Sequence, residues 1–308
     1  MDSYYRLYPD CKLVHGRVRS AIYDLTRGDI HLIPNSLASM IKDGTIDLRH
    51  NSTRAQELIT YLDSNELGEY GMSDDIKDIS EVFDCPSIIA NAIIEIDIKG
   101  NLPLKRIAYE LSDLLCESIY LHFITNCDID YILDIAACFE TLSYRSIEIG
   151  ILYQEGIMCD VEQIARCVSL CSKIIVSKAP FNQTSIIGRD VALRFTKSVY
   201  SCDGQFSKRD YSKWVVPKLP LYLESLRYNN CLHKKVCIDC IGDIRNCPAS
   251  SVVYGNVYNR GDLSLIVQHN DFQRLWSITN DMIAPCCDCE LRYACQHCIF
   301  DNTVCEHK

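Results

Sequence analysis

Apolar residues along this chain follow two periods in turn, every second position and then every third or fourth, which is the alternation of strands with helices. Near the start, Ala21-Ile-Tyr-Asp-Leu25, a turn at Arg27-Gly28-Asp29 and Ile30-His-Leu-Ile33 predict a β-hairpin across 17–33. Pro34-Asn35-Ser36 opens a helix with Leu37, Met40 and Ile41 at helical spacing, and Ala55, Leu58, Ile59 and Leu62 give a second helix across 52–67 one apolar face. From Pro86 onward the pattern repeats as strand then helix. Strands are expected across 88–98, 119–124, 146–152, 173–177 and 191–195, with helices across 102–115, 128–142 and 160–171, the second of these capped by Asp128. Four or five βα units of this length predict an α/β fold with a parallel sheet covered by helices, open or partly closed as a barrel. The acidic run Ser73-Asp-Asp-Ile-Lys-Asp78 reads as a solvated linker, so the expected division is a cap across 1–80, the α/β region across 81–225 and a last region across 226–308.

Composition narrows the function classes. The chain has 308 residues, 48% of them hydrophobic, enough for a large core and two or three domains. A formal net charge of -10 and a pI near 5.3 argue against a nucleic-acid or anionic-membrane surface, and no basic stripe interleaved with aromatics is present. Apolar runs such as Ile135-Ala-Ala-Cys-Phe139 fall far short of the ~20 residues that span a bilayer. Met1-Asp-Ser-Tyr-Tyr lacks the charged-then-apolar order of a signal segment, so the cytoplasm is the expected compartment. Neither a P-loop nor a GxGxxG or Gly-x-Ser-x-Gly motif is found. Cys85, Cys127 and Cys138 lack an identifiable His partner and read as structural, as do Cys167 and Cys171, taken as neighbours within one helix. Asp74/Asp75 and Asp128/Asp130 read as caps or solvated charges.

The cysteines change the picture. Ten of the nineteen lie in the last 80 residues: Cys231, Cys237, Cys240 and Cys247, then Cys286, Cys287, Cys289, Cys295, Cys298 and Cys305. A two-residue spacer lets two thiolates grip one metal from a single turn, and Cys286-x2-Cys289-x5-Cys295-x2-Cys298 contains two such pairs. Thiolates repel one another, so packing this dense points to a cation that holds them. Disulfides suit secreted mini-domains and nothing here looks secreted, which leaves 4Fe–4S clusters, one or two of them, or structural zinc. Gly242 and Cys247, spaced G-x4-C, predict strand, turn and strand with a cysteine at either end. Cys237 and Cys240 are three apart, so on one strand they face opposite sides and cannot both reach one metal. Cys240 and Cys287 read as spares, and His297 and His307 as surface residues.

The spacing C-x(n)-G-x4-C, gap, C-x2-C-x5-C-x2-C, gap, C resembles the SPASM domain, the auxiliary iron–sulfur module of peptide-modifying radical S-adenosylmethionine enzymes. Asp239-Cys-Ile-Gly-Asp-Ile-Arg-Asn-Cys-Pro248, Tyr254-Gly-Asn-Val257 and Trp276-Ser-Ile-Thr-Asn-Asp-Met-Ile283 are similar to that domain too, and Glu290-Leu-Arg-Tyr-Ala-Cys295 especially resembles the SPASM peptide maturases of grasp-with-spasm systems, which act on ribosomally made peptides. Many SPASM domains have x3 where this chain has Cys295-x2-Cys298. The resemblance implies one cluster on Cys231, Cys237, Cys247 and Cys298 and another on Cys286, Cys289, Cys295 and Cys305. Cys237 is the least secure of these ligands, and without it the first cluster would keep an open iron. The first 80 residues are similar to the winged-helix-like elements that capture leader peptides in such pathways, by adding a strand to an exposed edge.

The α/β region would then be a partial radical-SAM-like barrel, but the family's chemistry is missing. Its CxxxCxxC loop would follow the first strand, where this chain has Asp97-Ile-Lys-Gly-Asn-Leu-Pro103, and no cysteine lies between Cys85 and Cys116. The Gly-Gly-Glu stretch expected after the second strand is replaced by Ile124-Thr-Asn-Cys-Asp128. The expectation is therefore an accessory maturation factor that binds a precursor peptide, carries 4Fe–4S clusters and acts with an ATP-grasp ligase, without cleaving S-adenosylmethionine itself. The alternatives are a redox enzyme working at an auxiliary cluster and a zinc-stapled peptide-binding scaffold. No nucleic-acid or membrane partner is expected.

Overall fold

The structure, a computed structural model, describes residues 4–49, 52–71, 82–198, 215, 217–259 and 263–295. Its centre is one nine-stranded sheet. Strands β7 (Asn91–Ile96), β8 (Ser118–Phe123), β9 (Ser146–Leu152) and β10 (Cys171–Ser177) are joined by helices α3 (Leu104–Asp113), α4 (Ile129–Glu140) and α5 (Ile157–Cys167). Each of these strands pairs in parallel with the next in sequence, so every crossover steps one place in one direction. Right-handed crossovers that all step the same way put all the helices on one face.

The side-chain pattern follows. Ala92, Ile94, Ile96, Ile119, Leu121, Phe123, Ile147, Ile149 and Ile151 share one buried core with Ile107, Leu111, Ile135, Phe139, Val161 and Ile164 of the three helices. Each fully buried Leu, Ile or Phe there contributes about 1.5–3 kcal/mol through the water it leaves. Asp128 caps α4 as expected, accepting a hydrogen bond from Tyr131 N at 2.9 Å.

Both ends of the sheet depart from the sequence pattern. Strand β12 (Val191–Phe195) lies parallel to β10, while β11 (Gln183–Ile187), which no apolar alternation marked, forms an antiparallel edge on it. At the other end β13 (Lys235–Ile238) pairs in parallel with β7 and continues into β14 (Asp243–Arg245) and β15 (Gly255–Asn256). The strands of the cysteine-rich region thus extend the α/β sheet itself. Helix α5 ends four residues earlier than its apolar spacing implied. Cys167 is therefore an exposed last helical residue and Cys171 a buried first strand residue, not two neighbours in one helix.

Within the described residues 4–71, Tyr5, Leu7, Ile22, Leu58 and Leu62 belong to a small core of their own, while Val14, Ala21, Tyr23 and Leu25 pack with Tyr222, Cys289 and Leu291. Strands β2 (Cys11–His15), β3 (Arg19–Asp24) and β4 (Asp29–Pro34) make one antiparallel sheet, and β1 (Tyr4–Leu7), β5 (Thr45–Asp47) and β6 (Gly68–Tyr70) another. The first helix here, α1 (Asn35–Ala38), is a single turn, whereas α2 (Thr53–Ser64) is a full amphipathic helix capped by Ser52. The acidic run 73–78 lies outside the described residues. Among them, no helix is long and apolar enough to cross a membrane.

Candidate metal centre at the sheet edge

The first cysteine group is built by a tight hairpin. Asp239 Oδ1 accepts from the backbone N–H groups of Ile241 and Asp243, and its Oδ2 takes Arg245 Nε at 3.0 Å. Gly242 completes the turn at φ +86°, where any side chain would collide with Val257 and Tyr258. Cys237, in the middle of β13, is fully buried, and Cys247, just past β14, is 1% exposed. Cys231 is buried in the turn before β13, held by Asn229 Oδ1, which accepts from Cys231 N at 3.0 Å. Burial pushes the Cys237 thiol well above its ordinary range, and the nearby Glu95 and Cys247 add to the rise. Cys240 is a half-buried turn residue beside Asp239, beyond the end of β13, so the two cysteines do not lie on one strand.

In the second group the chain runs through short 3-10 turns. Cys289 is buried and its thiol is pushed up to about 12, first by burial and then by Glu290, Cys295 and Cys286. Leu291 N donates to Cys289 Sγ at 3.3 Å, the kind of bond a ligating sulfur receives. The Cys295 carbonyl accepts from Asn280 Nδ2 at 3.2 Å and from Asn230 Nδ2 at 3.3 Å. Asn230 precedes Cys231, so one side chain ties the two groups together.

Six of the eight sequence-predicted ligands are thus described, Cys231, Cys237, Cys247, Cys286, Cys289 and Cys295, but Cys231 and Cys247 pack in the core on the helix side of the sheet while Cys237 packs on its other face. Cys298 and Cys305, one from each set, lie outside the described residues, as do His297 and His307. Among the described residues no group of three or more His, Cys, Asp or Glu side chains stands at the distances that hold one ion. The chemistry of the donors still suits a thiolate-bound group. Three of the thiols, Cys231, Cys237 and Cys247, are buried in the segment that also holds Trp276 Nε1, a buried N–H donor with no hydrogen-bond partner among the described residues. A 4Fe–4S cluster or zinc bound there would take these thiols as thiolates, and the binding would release their protons.

The seating of the cap on the second group was not legible beforehand. Tyr23 Oη donates to the Glu290 carbonyl at 2.9 Å, Arg19 Nε meets Glu290 Oε1 at 2.6 Å, and Arg292 Nη1 donates to the His15 carbonyl at 2.7 Å. Gly16 has no room for a Cβ, which would stand 2.7 Å from Glu290 N. The turn between β2 and β3 is therefore fitted against residues 288–292, in the middle of the cysteine ladder. Sequence offers no signal for a pairing across 271 positions.

A second finding concerns the sheet face away from the helices. There Glu95 pairs with His122 (3.7 Å) and Glu148 with Lys173 (3.2 Å), while Tyr120 stacks on His122 with its ring over Gly150. A methyl at Gly150 would collide with the Tyr120 hydroxyl. Cys237 packs on this same face with Ile93, Tyr120 and Ile175. The period-two pattern marks these positions as the second face but gives no reason for their charge.

No protein-family model matches the chain, and no curated protein does. Two solved structures align over 96% of both chains: Streptococcus suis SuiB bound to S-adenosylmethionine, 11% identical with a TM-score of 0.38, and SuiB bound to precursor peptide SuiA, 10% identical with a TM-score of 0.31. At these TM-scores the alignments carry no argument about fold or activity.

Proposed function

We propose that this protein is an accessory maturation factor for a ribosomally synthesised, post-translationally modified peptide. In this reading the cap across 1–80 is a winged-helix-like module that captures the precursor, 81–225 is a partial radical-SAM-like barrel without its catalytic loop, and 226–308 is a SPASM domain with one or two 4Fe–4S clusters. An ATP-grasp ligase is the partner that acts on the captured peptide, in the cytoplasm. The observation that carries the reading is the seating of the β2–β3 turn on residues 288–292, which joins the peptide-capturing module to the cysteine ladder. Strand β2 pairs only with β3 among the described residues, and Lys12 and His15 on it line a cavity of about 590 Å³ together with Arg6, Tyr8 and Asp43. An extended peptide added at that edge would satisfy its own backbone and β2's at once.

The loop after β7 supports an accessory rather than a catalytic role. Asp97 Oδ1 accepts from Lys99 N at 3.0 Å, closing a turn that contains no cysteine. The test is iron, acid-labile sulfide and zinc per chain on protein purified without oxygen, followed by precursor-peptide binding to the same preparation. About eight iron and eight sulfide are expected for two clusters, and about four for one. Zinc without sulfide would replace the reading by a zinc-stapled scaffold, and a cluster-loaded chain that ignores the precursor would remove the peptide-capture role.

A further inference from the structure

The nine-stranded sheet ends on one side at β11, which among the described residues pairs only with β12. An open strand edge presents a row of backbone N–H and C=O groups to any chain able to pair with it, and proteins guard such edges with charge, brevity, proline or a bulge. The other outer strands of this chain are guarded. Strand β2 carries Lys12 and His15, β4 carries Asp29 and His31, β5 and β6 have three residues each and include Asp47 and Glu69, and β15 has two residues. Strand β11, Gln183-Thr-Ser-Ile-Ile187, has no charged residue, no proline and no bulge across its five pairs with β12. Its Ile186 side chain is 73% exposed.

The groove between this edge and α5 is open. Positions 181, 183, 185, 187 and 189 alternate onto the helix side of the sheet. Phe181, Gln183 and Ser185 line a cavity of about 290 Å³ against Met158 of α5, and Ile187 and Arg189 line a second, of about 420 Å³, further along the same helix. Phe181 and Met158 are 39% and 43% exposed, so the first cavity is an apolar opening at the rim of the sheet.

We propose that β11 pairs with β11 of a second copy of this chain, antiparallel and centred on Ser185, so that two nine-stranded sheets become one. In an antiparallel ladder, residues directly opposite either both turn their N–H and C=O groups toward each other or both turn them away. Positions paired across two copies of one strand are therefore both odd or both even, and only the register centred on Ser185 uses all five residues. That register places Ser185 on the two-fold axis of an isologous contact. It sets Thr184 opposite the partner's Ile186 and Gln183 opposite the partner's Ile187. Two Thr–Ile pairs of β-branched side chains thus face each other, and no like charges meet. The same alternation on the helix side brings the exposed Arg189 to the partner's Phe181, a guanidinium against an open ring, as in a cation–π contact. Each copy's Arg189 so reaches the apolar end of the other's groove. The inference is independent of the cluster and peptide readings.

The test is sedimentation equilibrium of the full chain, with reductant present because Cys159 and Cys167 are exposed. A mass about twice the 35.1 kDa of one chain is expected at micromolar concentration, and a single-chain mass throughout would overturn the inference. Ser185→Lys and Ser185→Glu each put like charges directly opposite at the axis, so each variant alone should sediment as one chain with unchanged circular dichroism. An equimolar mixture of the two should recover the doubled mass, because lysine then faces glutamate. Such recovery is specific to this register, in which only position 185 faces itself. Doubled mass in both single variants, or a mixture that stays at one chain, would overturn the pairing. Where either variant misfolds, amide hydrogen exchange of the unmodified protein decides. Protection of residues 183–187 should rise with protein concentration, and protection that ignores concentration would overturn the inference.

Discussion

The sheet core between Asn91 and Phe195 and the cysteine segment between Asn229 and Cys295 are held together by different forces. In the first, helices of ten to twelve residues and strands of five to seven bury apolar side chains, and His122 and Ser177 are the buried polar residues. In the second, regular elements run from two to five residues, and Asn229, His233, Asn246, Ser250, Thr279, Asn280 and Glu290 are all buried. Apolar burial is non-directional, so the sheet core is satisfied by any good packing of the right faces. The cysteine segment buries Leu232, Val236, Ile244, Val267 and Phe272 in that same core, and adds to it directional bonds from asparagine amides, an aspartate-built turn and the cap, around thiols whose ionised forms burial alone would not tolerate.

Three substitutions separate these forces. The largest effect is expected from Phe139→Ala, which empties a fully buried site between α4 and the sheet. It should cost about 3–5 kcal/mol in denaturant unfolding while leaving the metal content per folded chain unchanged. A metal content that fell in step with stability would mean that the two regions are one cooperative unit. Arg19→Ala comes next, because it leaves the Glu290 carboxylate, 5% exposed, without its guanidinium. Charged hydrogen bonds contribute about 1.5–3 kcal/mol, and the 40% exposure of Arg19 discounts this toward about 1 kcal/mol. Hydrogen exchange should quicken at residues 288–292 and stay unchanged in β8 and β9; uniform loosening of both would place the cap on the sheet core instead. Asp128→Ala should be the mildest, removing the cap of α4 at a cost of about 1 kcal/mol or less, with Asp128→Asn recovering most of it in thermal unfolding.

The fold was legible where a single periodicity governed a long segment. The strand across 146–152 and that across 191–195 fall where alternation placed them, and the Asp128 cap and the Gly242 turn were readable because each is a local arrangement of a few residues. Strand β11 was not, since Gln183-Thr-Ser-Ile-Ile187 buries little and an edge strand needs no apolar face. The end of α5 was misplaced for a related reason: Val168 and Leu170 continue its apolar spacing, but the chain there already turns toward β10. Of the candidate site, the cysteine spacing and its division into two groups came from local chain geometry. The contact of Arg19 with Glu290, the placing of Cys237 on the face of Tyr120 and His122, and the unpartnered indole of Trp276 did not, because no local pattern records them.

By itself, then, the sequence determined what depends on near neighbours: an α/β core with parallel strands, a hairpin closed at Gly242, and thiols gathered in two groups along the chain. These follow from backbone sterics, alternation of faces and the reach of a side chain along its own turn. Only the tertiary structure decided that β13 joins the central sheet at β7, that the cap rests on the cysteine ladder, and that Glu95 lies near the Cys237 thiol. Those depend on which distant segments meet, and the free energy that selects the meeting is shared across the whole core rather than written at any one position.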